Sequence, residues 1–132
     1  MTSITTRRVL AVVPDLFFAS KLSATAAAAG VELELASSAR AAERLTLAPP
    51  VLTLLDLHAP DAVALVRLLK AAAPEIPLVG FFSHVETQLR ADALAAGADA
   101  VLPRSKFVVE LAGLLERGLD ALNGNASGGP PP

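Results

Sequence analysis

Two aspartates in this chain stand where a carboxylate could do chemistry. Asp56 closes the run Val51-Leu52-Thr53-Leu54-Leu55, and Asp15 follows Arg8-Val9-Leu10-Ala11-Val12-Val13-Pro14. Apolar runs without polar alternation suit strands buried on both faces of a parallel sheet. In open parallel sheets, ligands and reacting groups collect beyond the carboxyl ends of the strands. Asp56 falls at that end, so it reads as a reactive carboxylate or as a hydrogen-bonded strand terminus. Asp15 reads as a helix-start residue, with metal ligation as the competing role. Ser83, after the apolar stretch Leu78 to Phe82, reads as a helix cap. His58 and His84 also follow strands, but without metal-ligand spacing. There is no Gly-rich phosphate loop, nucleophile elbow or zinc pattern. Outside the Asp15–Asp56 neighbourhood no acid–base pair is evident, which argues against an enzyme.

The elements that must position these residues follow from periodicity. Strands are expected at Arg8 to Val13, Val31 to Ala36, Val51 to Leu55, Leu78 to Phe82 and Asp99 to Leu102. Helices are expected at Leu16 to Ala29, Ala39 to Leu47, Ala62 to Ala73, from Ser83 to Ala96, and at Phe107 to Leu122. Apolar stripes at spacings of three and four support them: Phe18, Leu22, Ala26, Ala29 in the first; Val63, Val66, Leu69, Ala73 in the third; Val108, Leu111, Leu115, Leu119, Leu122 in the last. Ser37 or Ser38 is a candidate cap for the second helix, and Asp61 for the third. Gly30 and Gly97 close helices, Pro74 ends one, and Pro103 to Ser105 forms a turn. Five strands alternating with five helices imply a doubly wound α/β fold, a parallel sheet in the order 2-1-3-4-5. The first and third strands are then neighbours, so Asp56 and Val13-Pro14-Asp15 lie side by side. Residues 8–122 form the domain, 1–7 an N-terminal extension, and 123–132 a disordered Gly/Pro-rich tail.

Composition narrows the function. The 132 residues fit one domain. Hydrophobic residues make up 53%, much of it alanine, and no apolar run reaches the roughly 18 residues that span a bilayer. The absence of cysteine excludes disulfides, thiol catalysis and cysteine-ligated metals, and fits a cytoplasmic protein. Scattered charges with a net charge of −2, and no Trp or Tyr, argue against nucleic acid.

Over residues 8–122 the sequence resembles a response-regulator receiver domain of two-component signalling, in the blocks Leu-Leu-Asp-Leu-His-Ala-Pro at 54–60, Ile-Pro-Leu-Val at 76–79 and Ala-Gly-Ala-Asp-Ala-Val-Leu-Pro at 96–103. The resemblance implies the flavodoxin-like receiver architecture and a phospho-acceptor at Asp56. It also marks where the pattern fails. The family's Mg²⁺-holding acidic pair falls on Val13 and Pro14. Its Thr or Ser falls on Phe82, beside Ser83. Its switch aromatic falls on Val101, its lysine on Arg104 and its cis-proline on Ser105. Mg²⁺ needs oxygen ligands, and Val13 and Pro14 offer no side-chain oxygen. Asp15, with Asp56, is the remaining carboxylate for a metal. Arg104 keeps the lysine's charge, and an Arg104–Asp56 pair is one expected arrangement.

What this implies is a stand-alone pseudo-receiver that signals through protein–protein contact, with weak or no aspartyl phosphorylation and no cofactor. Its partner would be a histidine kinase or an output protein, and the chain itself a monomer or weak homodimer. The docking surface would run over the fourth helix, fifth strand and fifth helix. The alternative is an atypical working acceptor, phosphorylated on Asp56 with Mg²⁺ placed by Asp15 or Asp61. A more remote alternative is a small-ligand-binding α/β domain.

Overall fold

The computed structural model describes residues 6–83 and 87–122. Five strands, β1 (Arg8–Val12), β2 (Glu32–Leu35), β3 (Leu52–Asp56), β4 (Leu78–Phe82) and β5 (Ala100–Pro103), alternate with five helices, α1 (Leu16–Ala28), α2 (Ala41–Leu47), α3 (Ala62–Ala72), α4 (Thr87–Ala96) and α5 (Arg104–Arg117). All strand pairs are parallel, in the order β2-β1-β3-β4-β5. This is the doubly wound arrangement that the alternation of elements implies.

Strand alternation divides the core into two layers. Leu10, Val12, Leu55, Leu78, Phe82 and Val101 face α2, α3 and α4. Val9, Ala11, Leu52, Leu54, Val79 and Phe81 face α1 and α5. Central β3 and β4 are buried at every residue, which is why their sequences carry no polar alternation. Edge strand β2 is half-exposed, and Glu34 on it pairs with Arg8 and Arg44.

Several helix details differ from expectation. Arg40, not a serine, is the α2 N-cap residue, and no side chain caps it. Ser37 instead accepts from the Arg40 amide at 3.3 Å, closing the turn before the helix. The α3 stripe is Ala62, Leu65, Val66 and Leu69, with Val63 only partly buried. Helix α4 begins at Thr87, and a capping role for Ser83 would act on residues outside those described. Helix α5 starts at Arg104, directly after extended Pro103, without the expected intervening turn. It stops at Arg117 because Gly118 takes a positive φ of 65°. The Lys70 ammonium, at the end of α3, donates to the Pro74 and Ile76 carbonyls and to Asp99 Oδ2. Asp99 Oδ2 also accepts from the Leu78 amide at 2.8 Å, so this network joins the end of α3 to the starts of β4 and β5.

Candidate functional site

The carboxyl edge of the sheet gathers the residues in question. The register pairs Val12 with Leu55, which brings the β1–α1 junction beside Asp56. Asp56 itself pairs with Phe81 across β3 and β4.

Asp56 is only 6% exposed. Its Oδ1 accepts from the His58 amide at 2.9 Å, and its carbonyl accepts from the Ala59 amide at 2.9 Å. The first bond is an Asx turn, in which the carboxylate replaces a backbone acceptor and fixes the chain as it leaves the strand. Leu57 continues the sheet by donating its amide to the Phe81 carbonyl at 2.9 Å. The His58 ring reaches the next loop, where its Nε2 accepts from the Ser83 amide at 3.1 Å. The β3–α3 and β4–α4 connections are therefore tied together through Asp56 and His58. Spacing alone gave no sign of this, because a bond from the Ser83 backbone amide leaves no mark in the spacing of side chains.

Asp15 has a different task. It is the N-cap of α1, and its Oδ1 accepts from the Phe17 and Phe18 amides at 3.0 and 3.2 Å. Its Oδ2 meets Arg104 Nη2 at 3.4 Å. The Phe18 amide, joined by the Phe17 amide and Arg104, holds its carboxyl below the usual aspartate range, against a smaller opposing effect of desolvation.

Arg104 accordingly pairs with Asp15, and the expected Arg104–Asp56 pair does not form. The guanidinium lies over the Phe18 ring, 3.9 Å from its centroid. Arg104 opens α5, and the ring of Phe18 on α1 supplies a flat, electron-rich seat for the planar cation. Below it, Phe18 meets Phe81 edge-on at 5.2 Å, and Phe81 stacks on Phe107 at 4.3 Å. An aromatic column thus carries the edge on which Arg104 rests.

The remaining positions are apolar or peripheral. Phe82 and Val101 are buried on the α3–α4 side. Val13 is buried and Pro14 exposed. Ser83 and Ser105 are exposed, and Ser105 lies in the first turn of α5.

These groups do not suit a Mg²⁺ ion. Val13 and Pro14 supply no side-chain oxygen, and both oxygens of Asp15 are already engaged, one of them by a cation. Among the described residues, no three His, Asp or Glu side chains converge as a metal site.

No protein-family model matches the sequence, and no curated protein does. Solved structures do match. The chain aligns over 95% of its length with the whole of a CheY-like response regulator receiver domain protein from Methanospirillum hungatei, at 21% identity and a TM-score of 0.76. This is the receiver fold. Chemotaxis response regulator CheY4 of Vibrio cholerae aligns over 99% of its own length and 81% of this chain, at 19% identity and a TM-score of 0.69. NtrX from Brucella abortus shares the fold over 93% of this chain but only 30% of its own, at 22% identity and a TM-score of 0.75. Receiver architecture therefore occurs both as a whole chain and as part of a longer one.

Proposed function

We propose that this chain is a degenerate receiver, a signalling module that acts by binding a protein partner and has weak or no aspartyl phosphorylation. The supporting observation is the position of Arg104. A receiver's lysine would stand at this position to meet the phosphoryl group, whereas Arg104 meets Asp15 and the face of Phe18. Three neighbouring features favour the same reading. Val13 and Pro14 replace the metal-holding carboxylates. Buried Phe82 replaces the hydroxyl. Asp56 is engaged in an Asx turn, a structural use for a retained acceptor.

On this reading the module recognises its partner, a histidine kinase or output protein, through α4, β5 and α5. Val109 on α5 is 79% exposed and offers that face an apolar contact. With Phe82 and Val101 in the core, the coupled hydroxyl–aromatic switch has no counterpart, and the surface is presented in one state. Mg²⁺ titration followed by NMR tests the proposal. Amide shifts of Asp15, Asp56 and Arg104 are expected to stay unchanged up to millimolar Mg²⁺. Selective, saturable shifts at these three would overturn it in favour of a working acceptor.

A further inference from the structure

At the same sheet edge, a cleft of about 860 Å³ opens between α1, α3 and the segment that joins β2 to α2, with neither Phe82 nor Arg104 in its lining. Val12, Val13 and Leu65 line it, and Leu16, Leu35 and Leu68 add exposed apolar surface. Its size comes from small side chains: Ala19, Ala36, Ala39 and Ala64 stand where larger residues would fill the space. Its position is the topological switch point, since β1 has β2 on one side and β3 on the other. Ligand cavities concentrate at such points, span roughly 300–1,000 Å³, and combine apolar walls with a few polar groups.

Asp61 is the single charged residue lining this cleft. It occupies the N-cap position of α3 but makes no capping bond with its side chain. Its backbone is left-handed, with φ of 53°, the only non-glycine residue so placed among those described. Among the described residues, its carboxylate has no hydrogen-bond or ion-pair partner. An acceptor that could have capped a helix instead stands free at the mouth of an apolar cleft.

We infer that this cleft binds a small apolar molecule bearing a protonated amine, with its apolar body among Leu16, Leu35 and Leu68 and its ammonium at Asp61. The apolar walls supply affinity without selectivity between head groups. The lone carboxylate supplies the selectivity, favouring a cation over an anion of equal chain length. The inference is independent of whether Asp56 accepts phosphate.

The test uses the neutral fluorescent probe N-phenyl-1-naphthylamine on the full chain, which has no Trp or Tyr emission to interfere. Saturable one-to-one binding is expected, and Ala64→Phe, which fills the cleft, should abolish it. Ala39→Phe blocks the cleft from the β2–α2 connection and serves if Ala64→Phe fails to fold by circular dichroism. Decylamine should displace the probe about fivefold better than decanoate, the ratio one exposed ion pair supplies, and Asp61→Asn should bring the two level. The inference is overturned by any of three results: no saturable binding, binding that survives in the folded filling variant, or equal displacement by amine and carboxylate in the parent protein.

Discussion

The aromatic column beneath Arg104 yields a prediction whose size follows from geometry. Phe81 is fully buried, stacks on Phe107 at 4.3 Å and meets Phe18 edge-on at 5.2 Å. Phe81→Leu keeps much of the buried apolar volume but removes both ring pairs. Each such pair contributes about 0.5–1.5 kcal/mol beyond its burial, so a loss of about 1–3 kcal/mol is expected. Phe81→Ala adds the cavity, and the cost should rise to about 4–5 kcal/mol, in the upper half of the usual range for a buried phenylalanine. That is a large share of a typical domain stability of about 5–15 kcal/mol. Urea unfolding followed by circular dichroism measures this directly, because the chain has no Trp or Tyr to report by fluorescence. The midpoint should fall while the slope stays constant. Combining Phe81→Leu with Phe107→Leu should show a coupling of about 0.5–1.5 kcal/mol. Strict additivity of the two would refute the stacked column as an energetic unit.

Three further outcomes follow. The Asp15 carboxyl, followed by NMR, should titrate below the ordinary aspartate range. Its folded pKa lies below the unfolded one, so the stabilisation is fully present above the unfolded pKa and is lost as pH falls through the folded pKa. Arg104→Ala should move that midpoint only part of the way up, because the Phe18 amide is the larger cause; a full return to the ordinary aspartate range would contradict this. Asp56→Asn keeps the Asx acceptor and should cost less than about 0.5 kcal/mol, whereas Asp56→Ala leaves the His58 amide without it and should cost about 1–2 kcal/mol, read by thermal or urea unfolding. A Cβ at Gly80 would lie 3.0–3.2 Å from the Leu57 side chain. Gly80→Ala should therefore cost about 1–3 kcal/mol by overpacking, and far less in a Leu57→Ala background, as a double-mutant cycle would show.

Much of the fold was legible because its signals are local. Continuous apolar runs marked the buried strands, stripes such as Phe18-Leu22-Ala26 marked helix faces, and their alternation implied the sheet order. The errors came where a residue's role depends on distant partners. Asp61 has the residue type of a cap, but its left-handed backbone leaves the side chain without the capping bond. The role of Lys70 was not legible because the carbonyls it joins lie in the α3–β4 connection and the carboxylate lies before β5, 29 residues away. Arg104 was placed in a turn, and only the start of α5 directly after Pro103 sets it over Phe18. The cleft near Asp61 left no trace in sequence, since it is made by the joint smallness of alanines from three segments. Asp56 was located correctly at the strand end, but its Asx bond to His58 and the onward tie to Ser83 required the loop geometry.

The most direct test of the degenerate-receiver account is intact-mass measurement after incubation with Mg²⁺ and a small phosphodonor such as phosphoramidate. The account predicts an unchanged mass, with no stable adduct on Asp56. A gain of one phosphoryl group that disappears in Asp56→Asn would contradict it.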